Sequence, residues 1–400
     1  MKLHKFIFQA LVLLLPVQLA FHYWPDWALV AGVRVDYLAP TLFLTDLIFL
    51  LLLYTSLSEI FTKNRSLFIK LFIISIPLLF IYTRDALSIY ESLKILEFIY
   101  LSIYVKTFVA KDTSLITKPL RISVIITILI AVLQVITRGS LGGIFYFLGE
   151  RDMFISDPGI ARAMFFGHEF LRPYSIFPHP NAFAGYLLVS FFLLKKYKFT
   201  RLFILLGLFL TYSQNVWLAL SIIYLVKAIN EKFVFVVNWV ALFLGLIFSL
   251  TLPIISYQLI SQGNLFAEFI QKRLELSVIA GYLIARNPVL GVGLGRFIPL
   301  IPDVINNVRI LSISIWWLQP VHNVYLLVVS ETGFLGFFIL TTFLIKLIVN
   351  KNIILSFILL AILITGLIDH YWLTLQQTRM LLAIVSGLLL SKNVDKINFV

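Results

Sequence analysis

The chain has 400 residues, of which 60% are hydrophobic and only 13% charged, against about 25% charged in an ordinary soluble domain. That balance cannot clothe a water-facing surface, which excludes a soluble globular enzyme. The net charge of +13 is spread over short turns between apolar runs, so it reads as membrane topology and implies no nucleic-acid partner; the absence of cysteine excludes disulfides and thiolate metal sites.

Apolar runs recur from end to end, each near the length a helix needs to cross about 30 Å of hydrocarbon. In chain order the predicted spans are 6–22, 41–57, 67–82, 87–109 and 120–136, then 181–194, 202–212, 216–228 and 233–252, and last 322–345, 353–368 and 380–390. The expected fold is therefore all-α, a polytopic integral membrane protein of about twelve transmembrane helices in a single 1–400 domain. The first run, after Lys2 and Lys5, looks like a secretory signal, but more spans follow and it reads as a retained helix.

With the N-terminus inside, alternate loops receive Lys63/Arg65, Lys106/Lys111/Lys118/Arg121, Lys195/Lys196/Lys198/Arg201, Lys227/Lys232, Lys346/Lys351 and Lys392/Lys396. Both termini are then cytoplasmic. The opposite loops carry arginine and almost no lysine: Arg34, Arg84, Arg138, Arg151, Arg162, Arg172, Arg273, Arg286, Arg296, Arg309 and Arg379, with Lys272 the exception. Arginine's planar fork of donors suits phosphate or carboxylate and keeps its charge when partly desolvated. The bland explanation for any one of them is pairing with an external carboxylate or a lipid headgroup.

Two external loops are long, 137–180 and 253–321, and loops above about 15 residues in a compact protein are usually functional or disordered. Both hold aromatic residues (Phe145, Tyr146, Phe147, Phe165 and Phe166; Trp316 and Trp317), which predicts amphipathic helices at the membrane surface.

Three segments carry candidate chemistry. The first loop ends in Leu171-Arg172-Pro173-Tyr174-Ser175-Ile176-Phe177-Pro178-His179-Pro180-Asn181. Its prolines bar an α-helix, and a span begins at the capping residue Asn181, which holds Arg172 near an anion-favouring helix N-terminus. The second loop carries Arg273, a helical stretch through Ala285, and then Asn287-Pro288-Val289-Leu290-Gly291-Val292-Gly293-Leu294-Gly295-Arg296-Phe297. Its glycines permit close backbone approach or positive φ; without a lysine, it is no nucleotide loop. That loop closes on His322-Asn323, at the external N-terminus of a span continuing through Glu331, Gly333 and Gly336. There the helix dipole and neighbouring arginines favour an uncharged imidazole able to accept a proton. Asp46 and Glu331 are costly in lipid and should face the bundle interior. Glu91, Lys94 and Glu97 share a helix face and can pair. Asp369-His370-Tyr371-Trp372 reads equally as an interfacial aromatic turn or part of a site.

In this order and on this side, the three segments resemble the bacterial O-antigen ligase and polymerase family, over the whole chain and most specifically from Arg273 to Gly336. The resemblance implies a membrane-embedded glycosyltransferase of the GT-C type, using neither metal nor cofactor. It implies transfer of a glycan from undecaprenyl diphosphate to a hydroxyl of lipid A core or another glycan, at the outer face of the inner membrane. His322, Arg273 and Arg172 match the family's functional residues, the last with Arg162 as a nearby competitor; Asn323, Arg296, His179, Asn181, Gly291, Gly293, Gly295 and Glu331 are the expected substrate-binding set. A polymerase that lengthens lipid-linked glycan shares the diphosphate step, so ligase and polymerase both stay open. The rivals from other classes are a transporter of lipid-linked sugars, which would favour paired halves and broken midplane helices, and a scaffold without chemistry.

Overall fold

The computed structural model describes residues 2–165, 167–262, 267–308, 318–350 and 352–391, with backbone alone for 66–80. Phe166, Arg309, Trp316, Trp317, Lys351, Lys392 and Lys396 lie outside the described residues.

The chain is predominantly helical. Helix α1 (Leu3–Leu13) leads into strands β1 (Ala20–His22), β2 (Leu29–Val30), β3 (Val33–Arg34) and β4 (Thr41–Phe43), then helices α2 (Leu44–Tyr82), α3 (Ala86–Tyr104), α4 (Ser114–Thr137) and the single turn α5 (Ile144–Phe147). A hairpin of β5 (Arg162–Phe165) and β6 (His168–Leu171) precedes α6 (Pro180–Leu193), α7 (Lys198–Thr211), α8 (Gln214–Asn230), α9 (Val234–Ser261) and α10 (Glu268–Arg286). The last helices are α11 (Ile301–Asn307), α12 (Val324–Ile348), α13 (Ile353–Gly366), the short α14 (Tyr371–Thr374) and α15 (Gln376–Leu389).

Among the described residues, four helical stretches are long and apolar enough to cross a membrane: Leu44–Arg65, Ser114–Thr137, Gln214–Ser261 and Val324–Ile348. Helices α6 and α13 are shorter, 14 residues each, and buried on nearly every side. That is the expected place for a helix with no polar face. They form the centre of the bundle, whereas α9 turns Phe243, Leu244, Ile247 and Ile254 outward. A helix with an apolar outer face of this kind is suited to lipid rather than water.

Several expectations change. The first predicted span ends early, because Pro16 disfavours helix in the residue before it; 20–22 instead pairs with 41–43 as an antiparallel ribbon. The stretch between α1 and α2 is thereby a third substantial connection on the site side, and it packs through Ala28, Val30, Val35 and Leu38 against α10 and the segment after it. Loop 137–180 folds as the α5 turn and the β5–β6 hairpin, not as an amphipathic helix. The described part of loop 253–321 is largely helical: α9 runs on to Ser261, and α10 packs against α9 and α12 through Leu276, Ile279, Ala280 and Leu283. The break predicted between the second and third spans falls at Asn64, where α2 loses helical geometry (φ −129°, ψ 28°).

Candidate functional site

The proline-rich segment ahead of α6 is pinned by one buried amide. Gln134, on α4, accepts from the Tyr174 and Ser175 backbone N–H groups (3.1 and 2.7 Å) and donates to the Ser175 carbonyl (2.9 Å) and Glu150 Oε1 (2.8 Å). All of its hydrogen-bonding capacity is used, as burial requires, and it holds Ser175 in a left-handed conformation (φ 53°). Pro180 then opens α6 at a position where its missing N–H costs nothing. The cap is His179 and not the expected Asn181, which is the second residue of the helix: His179 Nδ1 accepts from the Asn181 N–H at 3.1 Å.

Arg172 leaves β6 and is clamped at two points: Nε donates to the Thr211 carbonyl (2.8 Å) and one Nη to Asn181 Oδ1 (2.7 Å). The Asn181 amide in turn donates to Asp369 Oδ2 (3.0 Å), a carboxylate 188 residues away in sequence at the far end of α13. Asp369 Oδ1 accepts from the His370 backbone N–H (2.9 Å) and lies 3.6 Å from His322 Nδ1. That last separation is a charge contact rather than a hydrogen bond. The His322 and His370 rings are 5.1 Å apart, and Tyr37, from the segment between α1 and α2, meets His370 at 5.6 Å. Arg273, on α10, completes the ring by donating to the Ile368 carbonyl at 3.3 Å.

Asn323 secures the imidazole's position. Fully buried, it caps α12 by accepting from the Leu326 N–H (2.9 Å), and its amide ties the helix start to Ser249 Oγ on α9 (2.9 Å) and the Leu367 carbonyl beyond α13 (3.1 Å). His322 thus stands where α9, α12 and the end of α13 meet, with its side chain 19% exposed. Burial by itself would raise the Asp369 carboxyl, but His322, with His370 and His179 around it, draws it well below the ordinary carboxylate range. Burial beside His322 pushes the His370 imidazole down to about 3. Asp369 is therefore a fixed negative charge facing the Nδ1 side of His322, an arrangement that orients an imidazole and supports its cationic form once it has taken a proton.

The other predicted residues gather elsewhere. Gly291 and Gly333 lie back to back: Val292 N–H and Gly293 N–H donate to the Ser330 and Glu331 carbonyls (3.0 and 2.8 Å), and Phe334 N–H donates to the Pro288 carbonyl (2.7 Å). A Cβ on Gly291 would lie 2.4 Å from the Glu331 carbonyl, and one on Gly333 would lie 2.3 Å from that of Val289. With φ of 67° and 64°, both positions also need glycine's left-handed freedom. The glycine segment is thus a backbone zipper on the break in α12, reached also by Glu331 Oε1, which accepts from the Phe297 N–H at 3.4 Å. It sits about three turns, or roughly 16 Å, along α12 from His322. Arg296 is held there by Asp85 at 3.5 Å.

A carboxylate partner separates the arginines. Arg162, Arg296 and Arg379 each pair with one (Glu169 at 3.3 Å, Asp85 at 3.5 Å, Glu91 at 3.2 Å). Arg172 and Arg273 spend donors on neutral oxygens and form no ion pair among the described residues.

His322, Asp369 and His370 present donor atoms within 4.8 Å of one another. That is a grouping able to hold a metal ion, and both Asp369 oxygens also accept N–H donors. With Arg172 and Arg273, the cluster offers an oriented base, two cations without a direct carboxylate partner, and the N-termini of α6 and α12 directed at one region, which together suit an anionic leaving group and a hydroxyl nucleophile.

Asp369 is the member that the sequence placed equally in an interfacial turn. Its signal was a lone carboxylate between apolar stretches, which has to find buried partners. The chain matches no family model and no curated protein.

Proposed function

We propose that this protein is a polytopic membrane glycosyltransferase of the O-antigen ligase type. It moves a glycan from undecaprenyl diphosphate to an acceptor hydroxyl, of lipid A core or of another glycan, at the outer face of the bacterial inner membrane. The single observation that carries the reading is the continuous polar chain Thr211–Arg172–Asn181–Asp369–His322, with Arg273 on the adjoining carbonyl. It draws the three residues expected to be functional to one end of the bundle.

The chemistry follows from that arrangement. The acceptor oxygen attacks the anomeric carbon from the face opposite the diphosphate, forming a new C–O bond as the old one breaks, with inversion. The bonding pair leaves with the polyprenyl diphosphate, whose added charge Arg172 and Arg273 stabilise. His322 takes the hydroxyl proton, and Asp369 favours the resulting imidazolium. A diphosphate is already a good leaving group, so the step asks for neither a metal nor a covalent enzyme intermediate. The chain's about twelve helical segments and GT-C character belong to this same proposal, as do cytoplasmic termini. The glycine zipper, Glu331 and Arg296 would bear on substrate only indirectly, through the shape of α12.

The test is a liposome reconstitution with lipid-linked glycan and acceptor, read by mass spectrometry. Glycan moved off the lipid to a core acceptor identifies a ligase, and lengthened lipid-linked chains identify a polymerase. Transport without a new covalent product would discard the enzyme reading. Turnover is expected to survive EDTA; loss on chelation with recovery on added metal would return the His322–Asp369–His370 group to metal chemistry.

A further inference from the structure

A second basic site lies at the opposite end of the bundle. Helix α6 begins beside the His322 group and ends near Lys195, while α13 starts at this far end and finishes beside Asp369. The two ends are separated by about 21 Å of helix. Between α6, α7, α8 and the start of α13 is a cavity of about 80 Å³ lined by Lys195, Arg201, Lys227 and Glu231. That is room for roughly five waters, enough for a phosphate group and too little for a glycan. Its other walls are apolar, among them Phe192, Ile353 and Phe357.

Exposed lysines at a membrane face are ordinary, and Lys195 and Lys227 alone would mean only topology. Arg201 is different. Its guanidinium lies 4.0 Å over the Phe191 ring, and its Nε is buried without a hydrogen-bond partner. None of the three cations forms an ion pair among the described residues. Three cations and one carboxylate leave a lining charge of +3 − 1 = +2. A buried, unsatisfied charged donor is costly to keep, and a phosphate oxygen is the acceptor that would satisfy it.

We infer that this cavity is a binding site for the phosphate of an anionic phospholipid, whose glycerol and upper acyl chain lie against the Phe192–Ile353–Phe357 wall. A basic pocket between helices, with apolar surface directly beneath, has the form in which such headgroups are held. The inference uses the membrane setting but not the transfer chemistry, so neither stands or falls with the other.

The experiment is native mass spectrometry of the purified full chain with phosphatidylglycerol or phosphatidylcholine, alongside thermal unfolding with each lipid and with inorganic phosphate. Phosphatidylglycerol is expected to be retained and to raise the unfolding temperature, with phosphatidylcholine much weaker. Losing one cation should weaken retention about fivefold, and Lys195→Gln/Arg201→Gln/Lys227→Gln on the order of a hundredfold. Lys195→Gln/Lys227→Gln, confined to the exposed rim, covers the case in which losing Arg201 disturbs packing. Equal retention of both lipids, or unchanged retention by the rim variant, overturns the site. Stabilisation by inorganic phosphate as large as that by lipid overturns the lipid as its source.

Discussion

Two regions of this molecule bury charge, and they do so in opposite ways. Between α2, α3 and α15, Lys94 Nζ sits 2.7 Å from both Asp46 oxygens and 3.6 Å from Glu97, and Gln376 donates to both carboxylates. Nearby, Arg379 is matched by Glu91. Around His322, Arg172 and Arg273 have carbonyl and amide oxygens for company and no carboxylate within pairing distance among the described residues. A cation closed by its counter-ion is committed to the fold, while a cation held in place by neutral dipoles remains available to an incoming anion. The second condition is what a diphosphate requires.

The contrast can be broken by substitution. The largest effect is expected from His322→Ala, which should lower glycan transfer by about 10²–10⁴-fold with unfolding temperature unchanged; near-normal turnover would remove the base. Lys94→Met should act on stability instead, costing about 3–5 kcal/mol because it strands buried carboxylates. Adding Asp46→Leu should recover part of that loss in thermal unfolding, and a simple sum of the two losses would contradict the paired-charge account. Arg273→Lys should reduce transfer by roughly a hundredfold, whereas Arg296→Lys, already engaged by Asp85, should stay within about threefold; equal losses would erase the distinction drawn from their partners.

The smallest effect concerns pH. The His370 imidazole is depressed from 6.5 to about 3 in the fold, so the unfolded chain binds the proton first as pH falls. The stability this group contributes is complete above pH 6.5 and is lost through the window down to about 3, on the order of 2 kcal/mol by pH 5. Unfolding temperature should decline across that range and decline less in His370→Asn; parallel curves would show that the ring is not the group responsible.

Much of this was legible in the residues. The helical class, the placing of Arg172 on a rigid proline-bound segment, and the helix over Arg273–Ala285 all follow from local rules of turns and periodicity, whereas the cap of α6 was read two residues late, at Asn181 instead of His179. The glycine run announced close backbone approach, but not what approached. Its partner, the break at Gly333, lies in another helix, and only packing joins them. Asp369 was hidden for the same reason, since its neighbours Asn181 and His322 are distant in sequence. The wall formed by Tyr37 was missed because Pro16 ends α1 earlier than hydropathy alone suggests.

The shortness of α6 and α13 carries a last consequence. Fourteen residues reach about 21 Å, and a hydrocarbon layer is about 30 Å thick. Both are enclosed by neighbouring helices, so protein rather than lipid fills the remaining thickness at their ends. A helix that meets no lipid is free of the length a bilayer imposes, which leaves its ends available to polar groups inside the bundle.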